Sequence, residues 1–317
     1  MTEPGSAALE GLIPPIRRAR DYYLYPHAGG RIIDLYRMGG TALLGYRPPG
    51  IVLAQKQRLS EGLSAALPSP FAERLRAQLR KRFPDHPHVR LFPTRAQALQ
   101  FLAALGNADL RDPALADAPD TPDTANTSGA AVLWRPFLPL LPGAAVVLPL
   151  LPDPSAFAPQ ALCFADAPGS TAPAGLTSRG AAHTSAGISA AALAGSVRAC
   201  GLVDRGVRER EEELHRPPVS RRAKPPQRPH RIVAERAFDE QLAGDPDCVW
   251  QRRGPYLACR PDLRESAAYE RLVRRCLDHG ILIAPDASEP TILPLTMTPG
   301  EFTALAKCAT MGTEATL

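Results

Sequence analysis

Apolar side chains recur at helical spacing in several segments, and the clearest of these begins at residue 69. Phe71, Leu75 and Leu79 recur every four residues, so they share one face of a helix. Ser69 is a preferred N-cap residue, and Pro70 suits the first helical position. The pattern predicts a helix that packs its apolar face on a core and carries its arginines on the opposite face.

A strand, a tight turn and a second helix are predicted next. The strand is Val89-Arg90-Leu91-Phe92, and Gly106 ends the helix. Between them, Thr94-Arg95-Ala96-Gln97 has the Thr-x-x-Gln pattern of a capping box, in which side chains at both ends bond backbone N–H groups. The residues expected on the buried face are Ala98, Leu99, Leu102 and Leu105.

Strand and helix patterns alternate through much of the remaining chain. Strands are predicted over residues 30–35, 144–148, 255–259, 281–283 and 291–295, and helices over residues 52–63, 189–200 and 266–279. Thr298, Pro299 and Glu301 form another capping box before the last helix. Residues 107–130 lack an apolar period and are predicted to be a loop or disordered insert, and 164–182 a second loop of small residues. This alternation predicts an α/β protein.

The predicted domain organisation has four parts. They are an N-terminal segment (1–65), a large domain (66–203), a basic, Pro-rich linker (204–231) and a small α/β domain (232–317). The linker holds nine basic and five acidic residues, whereas the rest of the chain is nearly neutral. The length of 317 residues is compatible with one large or two modest domains.

Composition excludes collagen-like and wholly disordered chains. Pro 35 is high, but Gly 24 is far below the one-third glycine of collagen. Hydrophobic residues make up 44% and charged residues 22%, which is near the globular average. The six cysteines include no CxxC pair, so we expect free buried thiols and no metal site.

A membrane span is not expected. The longest uncharged stretch worth testing as a membrane span, 136–152, has 17 residues and five prolines. A spanning helix needs about 20 continuous apolar residues. The N-terminus has no basic segment followed by an apolar one, as a secretory signal would. We therefore expect a cytoplasmic protein.

Five segments occur in an order that is typical of one enzyme family. They are 30–35 (GRIIDL) with 44–46 (LGY), 92–98 (FPTRAQA), 183–187 (HTSAG), 280–285 (GILIAP) and 295–298 (LTMT). This order resembles the class III aminotransferases, the fold-type I group of pyridoxal 5'-phosphate (PLP) enzymes that includes glutamate-1-semialdehyde aminomutase. Tyr46 stands where the family has histidine.

The resemblance implies a fold and a vestigial phosphate site. It implies a shortened fold-type I large domain, with a smaller α/β domain formed by the C-terminal part and the N-terminal segment. Thr94, Arg95, Ala96 and Gln97 match the turn and helix N-terminus that bind the PLP phosphate through backbone N–H groups. Thr184 matches the threonine that reaches the phosphate of the partner subunit, so the resemblance also implies a homodimer.

The chain differs from the family at the positions of the family's catalytic and cofactor-binding residues. No lysine lies between Lys81 and Lys224, and the Schiff-base lysine of the family would fall near Pro152-Asp153-Pro154. No DExxxGxGR-like segment supplies the acidic partner of the pyridine nitrogen. The stretch from Ala98 to Thr184 is too short for a complete cofactor domain of this family. Arg95 stands where the phosphate cradle of the family has glycine.

Three hypotheses for the function follow. The first is a non-catalytic aminotransferase-like protein with a scaffold, regulatory or anion-binding role, with no catalytic residues and without PLP. The second is a divergent PLP enzyme, in which the cofactor binds without the usual lysine, or Lys56 or Lys224 enters the site. The third is binding to an acidic surface or nucleic acid through the linker, which has no interleaved aromatic residues for base stacking, so nucleic acid is not the expected partner.

Each candidate site residue also has a structural interpretation. Arg95 can lie in solvent or pair with a carboxylate, Thr94 and Gln97 can serve as a cap, and Thr184 can cap the Ala-rich helix. In the alternative, the helix N-terminus and the Arg95 guanidinium bind a phosphate-bearing small ligand weakly.

Overall fold

The structure is a computed structural model that describes residues 11–48, 50–106, 110–115, 129–155, 157–165, 187–215, 235, 237–240, 242, 248–261, 264 and 267–309. These residues form two units. The first unit comprises Met1–Tyr46 and Arg210–Leu317, and the second comprises Arg47–Glu209. The predicted boundaries at 65/66, 203/204 and 231/232 stay a prediction.

The elements follow each other in mixed α/β order. The strands are β1 (Ile16–Arg20), β2 (Tyr23–Pro26), β3 (Ile32–Asp34), β4 (His88–Phe92), β5 (Leu110–Arg111), β6 (Ala131–Trp134), β7 (Val146–Pro149), β8 (Gln160–Phe164), β9 (Trp250–Arg253), β10 (Tyr256–Cys259), β11 (Ile281–Leu282) and β12 (Thr291–Ile292). The helices are α1 (Ile51–Ser60), α2 (Pro70–Arg82), α3 (Arg95–Ala104), α4 (Ala190–His215), α5 (Ala267–Asp278) and α6 (Pro299–Ala309).

A five-stranded sheet organises the second unit. Its order is β4-β8-β7-β6-β5. Strands β5, β6 and β7 pair parallel, and β8 is antiparallel to both β7 and β4. Helix α3 packs on this sheet through Ala98 and Leu102, which meet Leu133, Leu148 and Leu162 in one apolar cluster. Every residue of β6 and β7 is buried, and both strands are continuous hydrophobic runs. Such runs are expected of central parallel strands, which are covered on both faces.

Two smaller sheets form the first unit. One has the order β1-β2-β3-β11, in which β3 and β11 pair parallel, and the other has the order β12-β10-β9. The main core of this unit joins Leu35, Leu257, Leu272, Ile281 and Leu305, all of them buried. Helices α5 and α6 both contribute to this core, α5 through an apolar face at helical spacing.

The GRIIDL segment and Tyr46 meet in a buried hydrogen-bond network. The Asp34 carboxylate accepts hydrogen bonds from the backbone N–H groups of Tyr36 and Arg37, both at 2.9 Å, and from the Tyr46 hydroxyl at 2.6 Å. Burial raises the pKa of Asp34 although these bonds lower it. Gly45 allows the approach, because it has a φ of 91° and a Cβ there would lie 3.0 Å from the backbone oxygen of Asp21. Tyr46 therefore fixes the turn that follows β3.

The local signals at helix starts are confirmed. The Ser69 side chain accepts a hydrogen bond from the Phe71 N–H at 3.3 Å, with Pro70 in the first turn. The predicted α/β class is confirmed as well, since the strands of three sheets are interspersed with helices along the described residues.

Four expectations need correction. Leu99 is 36% exposed, because the fully buried residues of α3 are only Ala98 and Leu102. Arg76 is 3% exposed and contacts the Glu73 carboxylate, so not all arginines of α2 face solvent. The predicted loop 107–130 contains strand β5, which pairs with β6. Helix α4 runs from Ala190 to His215 and so includes the first part of the predicted linker.

Candidate functional site

The carboxyl ends of four strands lie at one edge of the five-stranded sheet. Strands β5, β6 and β7 are parallel, and β4 runs with them because both β4 and β7 are antiparallel to β8. In open α/β sheets ligands bind outside the carboxyl ends of the strands. The segments that follow these strands, here called the carboxyl edge, are residues 93–97, 112–115, 135–138 and 150–155.

The start of helix α3 follows β4 at this edge. Thr94 is the N-cap of α3, and its hydroxyl oxygen accepts a hydrogen bond from the Gln97 N–H at 3.3 Å. Thr94, Ala96 and Gln97 are exposed, and Arg95 is half-buried. The first backbone N–H groups of a helix have no partner within the helix and carry partial positive charge. The turn therefore keeps a geometry that favours an anion, while Thr94 also acts as a structural cap.

Gly187, which follows Thr184 by three residues, lies next to the same turn. Thr184 itself lies outside the described residues, which resume at Gly187. A Cβ at Gly187 would lie 3.1 Å from Cγ of Pro93, which directly precedes Thr94. Gly187 has a φ of 92°, so glycine suits both the backbone conformation and the close approach. Residues 187 and 93 are thus neighbours within one chain, whereas the resemblance assigns Thr184 to the phosphate site of the partner subunit.

Asp153 lies in the stretch 152–154, near which the resemblance places the Schiff-base lysine. It follows β7 and is 2% exposed. Its carboxylate accepts hydrogen bonds from the Gln55 side-chain amide and from the Ser155 N–H, both at 3.1 Å. Gly195 of α4 lies against this pair, since a Cβ there would be 2.5 Å from Nε2 of Gln55 and 2.9 Å from Oδ2 of Asp153. Elements α1, α4 and the end of β7 therefore converge on one carboxyl group.

The two residues that donate hydrogen bonds to Asp153, Gln55 and Ser155, are uncharged. Burial is the largest influence on this carboxyl group and raises its pKa, and the bonds from Ser155 and Gln55 oppose the shift only in part. The group therefore favours its protonated, neutral form more than an exposed aspartate does. A carboxyl group has no amine that can condense with an aldehyde.

No described lysine is placed at the carboxyl edge. Lys56, Lys81 and Lys307 lie on helices α1, α2 and α6, and their side chains are exposed. Lys224 lies outside the described residues. The side chains that the structure describes near residues 152–154, where the resemblance implies the family lysine, therefore do not fit a PLP molecule held as a Schiff base.

A buried ion pair joins the ends of β5 and β6. The Arg135 guanidinium donates from Nε to both oxygens of Asp112 at 2.9 Å and from Nη2 to Oδ2 at 2.6 Å. The side chains are only 5% and 12% exposed. Oδ1 of Asp112 also accepts a hydrogen bond from the Ala114 N–H at 3.0 Å. The positive charge at this strand end is thus matched by a carboxylate within the same sheet edge.

Sequence reasoning missed Gln55, Asp112 and Arg135. Asp112 lies inside the segment predicted to be a loop, and Gln55 comes from a helix 98 positions before Asp153. Asp112 meets Arg135 because strands β5 and β6 are neighbours in the sheet. That pairing is tertiary structure, so no local sequence pattern could have predicted the contact.

Among the described residues, no group of three or more His, Cys, Asp or Glu side chains is arranged to hold a metal ion. No described helix is long and apolar enough to cross a membrane.

Comparison with known proteins places the chain in a family. No protein-family model matches it. An uncharacterized protein of Treponema pallidum (strain Nichols) is 31% identical over 290 residues, which cover 88% of each chain. The chain belongs to the same family as this Treponema protein. The relationship extends over both units of the structure.

Solved structures define the fold of this family member. The ornithine delta-aminotransferase of Plasmodium falciparum has a TM-score of 0.60 and 13% identity, covering 93% of this chain and 92% of its own. The acetylornithine aminotransferase of Elizabethkingia anophelis has a TM-score of 0.60 and 13% identity, covering 94% and 93%. The chain therefore has the aminotransferase fold, as its resemblance to class III aminotransferases implied.

Proposed function

We propose that this family member is a cytoplasmic, non-catalytic protein on a shortened and degenerate aminotransferase fold, with a scaffold, regulatory or anion-binding role. The observation that carries the proposal is the placement of lysine. The chain has four lysines, and none lies between positions 82 and 223. Asp153, hydrogen-bonded to Gln55, stands near the position of the family lysine.

The retained features favour binding over loss of the whole site. Thr94 still caps α3 at the carboxyl edge, and Gly187 still lies against Pro93. These features support binding of a phosphate-bearing small ligand at residues 94–97, with Thr184 as a further candidate. We also propose a homodimer, because the resemblance assigns the Thr184 segment to the site of the partner subunit.

We expect that PLP forms no internal aldimine with this protein. An aldimine needs an uncharged amine beside the bound aldehyde, and Asp153 supplies a carboxyl group instead. The full chain is mixed with PLP, freed of excess reagent, reduced with borohydride and mapped by mass spectrometry. The expected result is no pyridoxyl adduct above that of a denatured sample, in which exposed lysines react at random.

A single lysine that is labelled stoichiometrically would contradict the proposal and favour the divergent-enzyme alternative. The variants Lys56→Arg and Lys81→Arg serve as matched controls, because both side chains are exposed on helices of the second unit. Loss of the label in only one of them would identify the reacting amine.

We expect inorganic phosphate to bind weakly at the start of α3. Arg95→Ala should weaken this binding roughly tenfold, about 1–2 kcal/mol, because a charged donor is lost from a half-exposed position. Thermal melts in a phosphate series measure the effect. Lys81→Ala removes a charge from the exposed face of α2 and should change little. Equal stabilisation of the parent and Arg95→Ala proteins by phosphate would show that Arg95 has only a surface role.

A further inference from the structure

The buried arginines of the described residues differ in their partners. Three arginines are buried, and they are Arg37, Arg76 and Arg135. Arg76 contacts the Glu73 carboxylate, and Arg135 contacts the Asp112 carboxylate. Arg37 is 3% exposed, its Nε has no hydrogen-bond partner, and no described carboxylate forms an ion pair with it. Its positive charge therefore lacks the partner that the other two have.

Asp34 is the carboxylate closest to Arg37 in the sequence, and other donors occupy its oxygens. Oδ1 accepts hydrogen bonds from the backbone N–H groups of Tyr36 and Arg37, and Oδ2 accepts one from the Tyr46 hydroxyl. Arg37 thus contacts Asp34 through its main chain and not through its guanidinium. Burial raises the pKa of Asp34, which favours the neutral form of this group. Asp34 therefore offsets the charge of the guanidinium only in part.

The surroundings of Arg37 favour an anionic partner. Burial lowers the pKa of Arg37, and the groups that oppose this shift are Asp34 and three tyrosines, namely Tyr46, Tyr22 and Tyr256. All of them belong to the first unit, and none is a cation. Arginine nevertheless stays protonated in proteins. Because a buried charge without a partner is strongly destabilising, binding of an anion by the guanidinium would stabilise this unit.

The backbone holds Arg37 inward at a conformational cost. Arg37 and Met38 have φ angles of 53° and 51°, in the left-handed region that non-glycine residues rarely adopt. Met38 is 37% exposed, whereas Arg37 is buried, so the turn directs the charged side chain rather than the apolar one into the protein. Strain of this kind clusters at binding sites, where the surrounding structure maintains it.

We propose that Arg37 anchors a binding site in the first unit for a small, singly charged carboxylate ligand. The planar guanidinium donates two parallel hydrogen bonds to the carboxylate, one of them from Nε. The ligand is small because Arg37 retains only 3% of its exposed surface. The site concerns the first unit alone and does not depend on the phosphate binding proposed for residues 94–97.

The charges beside the turn favour a monoanion over phosphate. A Cβ at Gly39 would lie 3.8 Å from Oε1 of Glu289, whose other oxygen is buried and has no hydrogen-bond partner. A carboxylate group therefore already lies beside this turn. One guanidinium matches one negative charge, so a phosphate dianion would bring a second charge without a partner and would be repelled by Glu289.

Thermal melts of the full-length protein in a formate series provide the first test. Formate is the smallest carboxylate, and chloride at equal ionic strength in the same Tris buffer is the reference. Formate should raise the Tm of the parent protein in a saturable manner, as a ligand of the native state does. Chloride should raise it less, because a spherical ion does not match the planar pair of donors.

Variants at position 37 test the role of the guanidinium. Arg37→Lys should weaken formate binding at least about tenfold, because one ammonium replaces the planar pair of donors. Arg37→Met keeps an unbranched side chain at the same φ and should abolish the difference between formate and chloride. A difference that persists in folded Arg37→Met protein would overturn the proposal.

Nuclear magnetic resonance reports on Arg37 directly in the parent protein. The Nε–H signal of Arg37 is assigned through its bonds to the Arg37 backbone, and formate should shift it with the midpoint found in the melts. Arg135 is the control in the same spectrum, because Asp112 already pairs with it, and its signal should not move. An Arg37 signal that does not respond to saturating formate would overturn the proposal even if no variant at position 37 folds.

Phosphate separates this site from the one proposed at the start of α3. Phosphate should leave the Arg37 signal unchanged, and Arg95→Ala should leave the formate shift of Arg37 unchanged. Loss of phosphate binding alone would therefore contradict only the proposed function. An Arg37 signal that phosphate shifts as strongly as formate does would overturn the assignment to a singly charged carboxylate.

Discussion

Asp112→Ala is expected to lower the free energy of unfolding by about 3–5 kcal/mol, because it removes the carboxylate that a buried guanidinium contacts through two nitrogen atoms. Asp112 and Arg135 are only 12% and 5% exposed, so water can replace the lost carboxylate only in part. The Ala114 N–H loses its acceptor as well. Urea unfolding at neutral pH measures the change.

An exposed ion pair of the same unit is the matched control. Nη1 of Arg82 lies 3.4 Å from Oδ1 of Asp204, and the two side chains are 34% and 47% exposed. Asp204→Ala should cost no more than about 1 kcal/mol, since solvent screens such pairs. In the double variant Asp112→Ala/Arg135→Met the buried charge is gone, so part of the stability should return. Equal losses in Asp112→Ala and Asp204→Ala would mean that the buried pair is no stronger than a surface contact.

Features that depend on a few consecutive residues were predictable from the sequence. At the start of α6, the Thr298 N–H donates to Glu301 at 2.8 Å, and the Glu301 N–H donates to the Thr298 hydroxyl oxygen at 3.4 Å. Both bonds of the predicted capping box are thus present. The Ser69 cap is present for the same reason, because a cap needs only the residues of one helical turn.

Features that depend on the neighbouring element were not predictable in the same way. Leu99 fits the apolar period of α3, yet it is exposed because the sheet covers only the side of α3 that carries Ala98 and Leu102. Arg76 fits a solvent-facing position of α2, yet it is buried. The charge-rich composition beyond residue 204 suggested a linker, but charged residues that form helices well continue α4 to His215.

In the candidate site, too, local features were predictable from the sequence and contacts between distant elements were not. The N-cap at Thr94 follows from its own segment. The Asp112–Arg135 pair requires that β5 and β6 be adjacent, and the Gln55–Asp153 bond joins a helix to a strand end far away in the sequence. The absence of lysine from positions 82–223 was visible in the sequence, but the side chain placed near the expected lysine position, and its partners, required the structure.

Glu301→Gln is expected to lower the free energy of unfolding by about 2–3 kcal/mol, because several hydrogen bonds to one carboxylate lose their charge. The Glu301 carboxylate accepts bonds from the Tyr23 hydroxyl at 2.6 Å and the Tyr22 hydroxyl at 2.9 Å, besides the cap at Thr298. Tyr23 is the first residue of β2 and Tyr22 directly precedes it, so these bonds connect the start of β2 with α6 inside the first unit. Thermal and urea unfolding of both proteins measure the loss. The exposed Glu270 of α5 is the control, and Glu270→Gln should change stability by less than about 0.5 kcal/mol.

The effect of Glu301→Gln should depend on pH in a defined direction. Burial raises the pKa of Glu301, but the bonds from Tyr23, Thr298 and Tyr22 together lower it below its usual value of 4.5. A lowered pKa in the folded state stabilises the protein above the unfolded-state pKa, and this contribution is lost as the pH falls through the folded-state pKa. The parent and Glu301→Gln proteins should therefore differ most above about pH 5 and converge in acid. Burial raises the pKa of Asp34, which gives the opposite pH dependence, but Asp34 is present in both proteins and cancels from their difference. A difference that is constant from neutral to acid pH would show that the Glu301 charge contributes nothing to the stability of this unit.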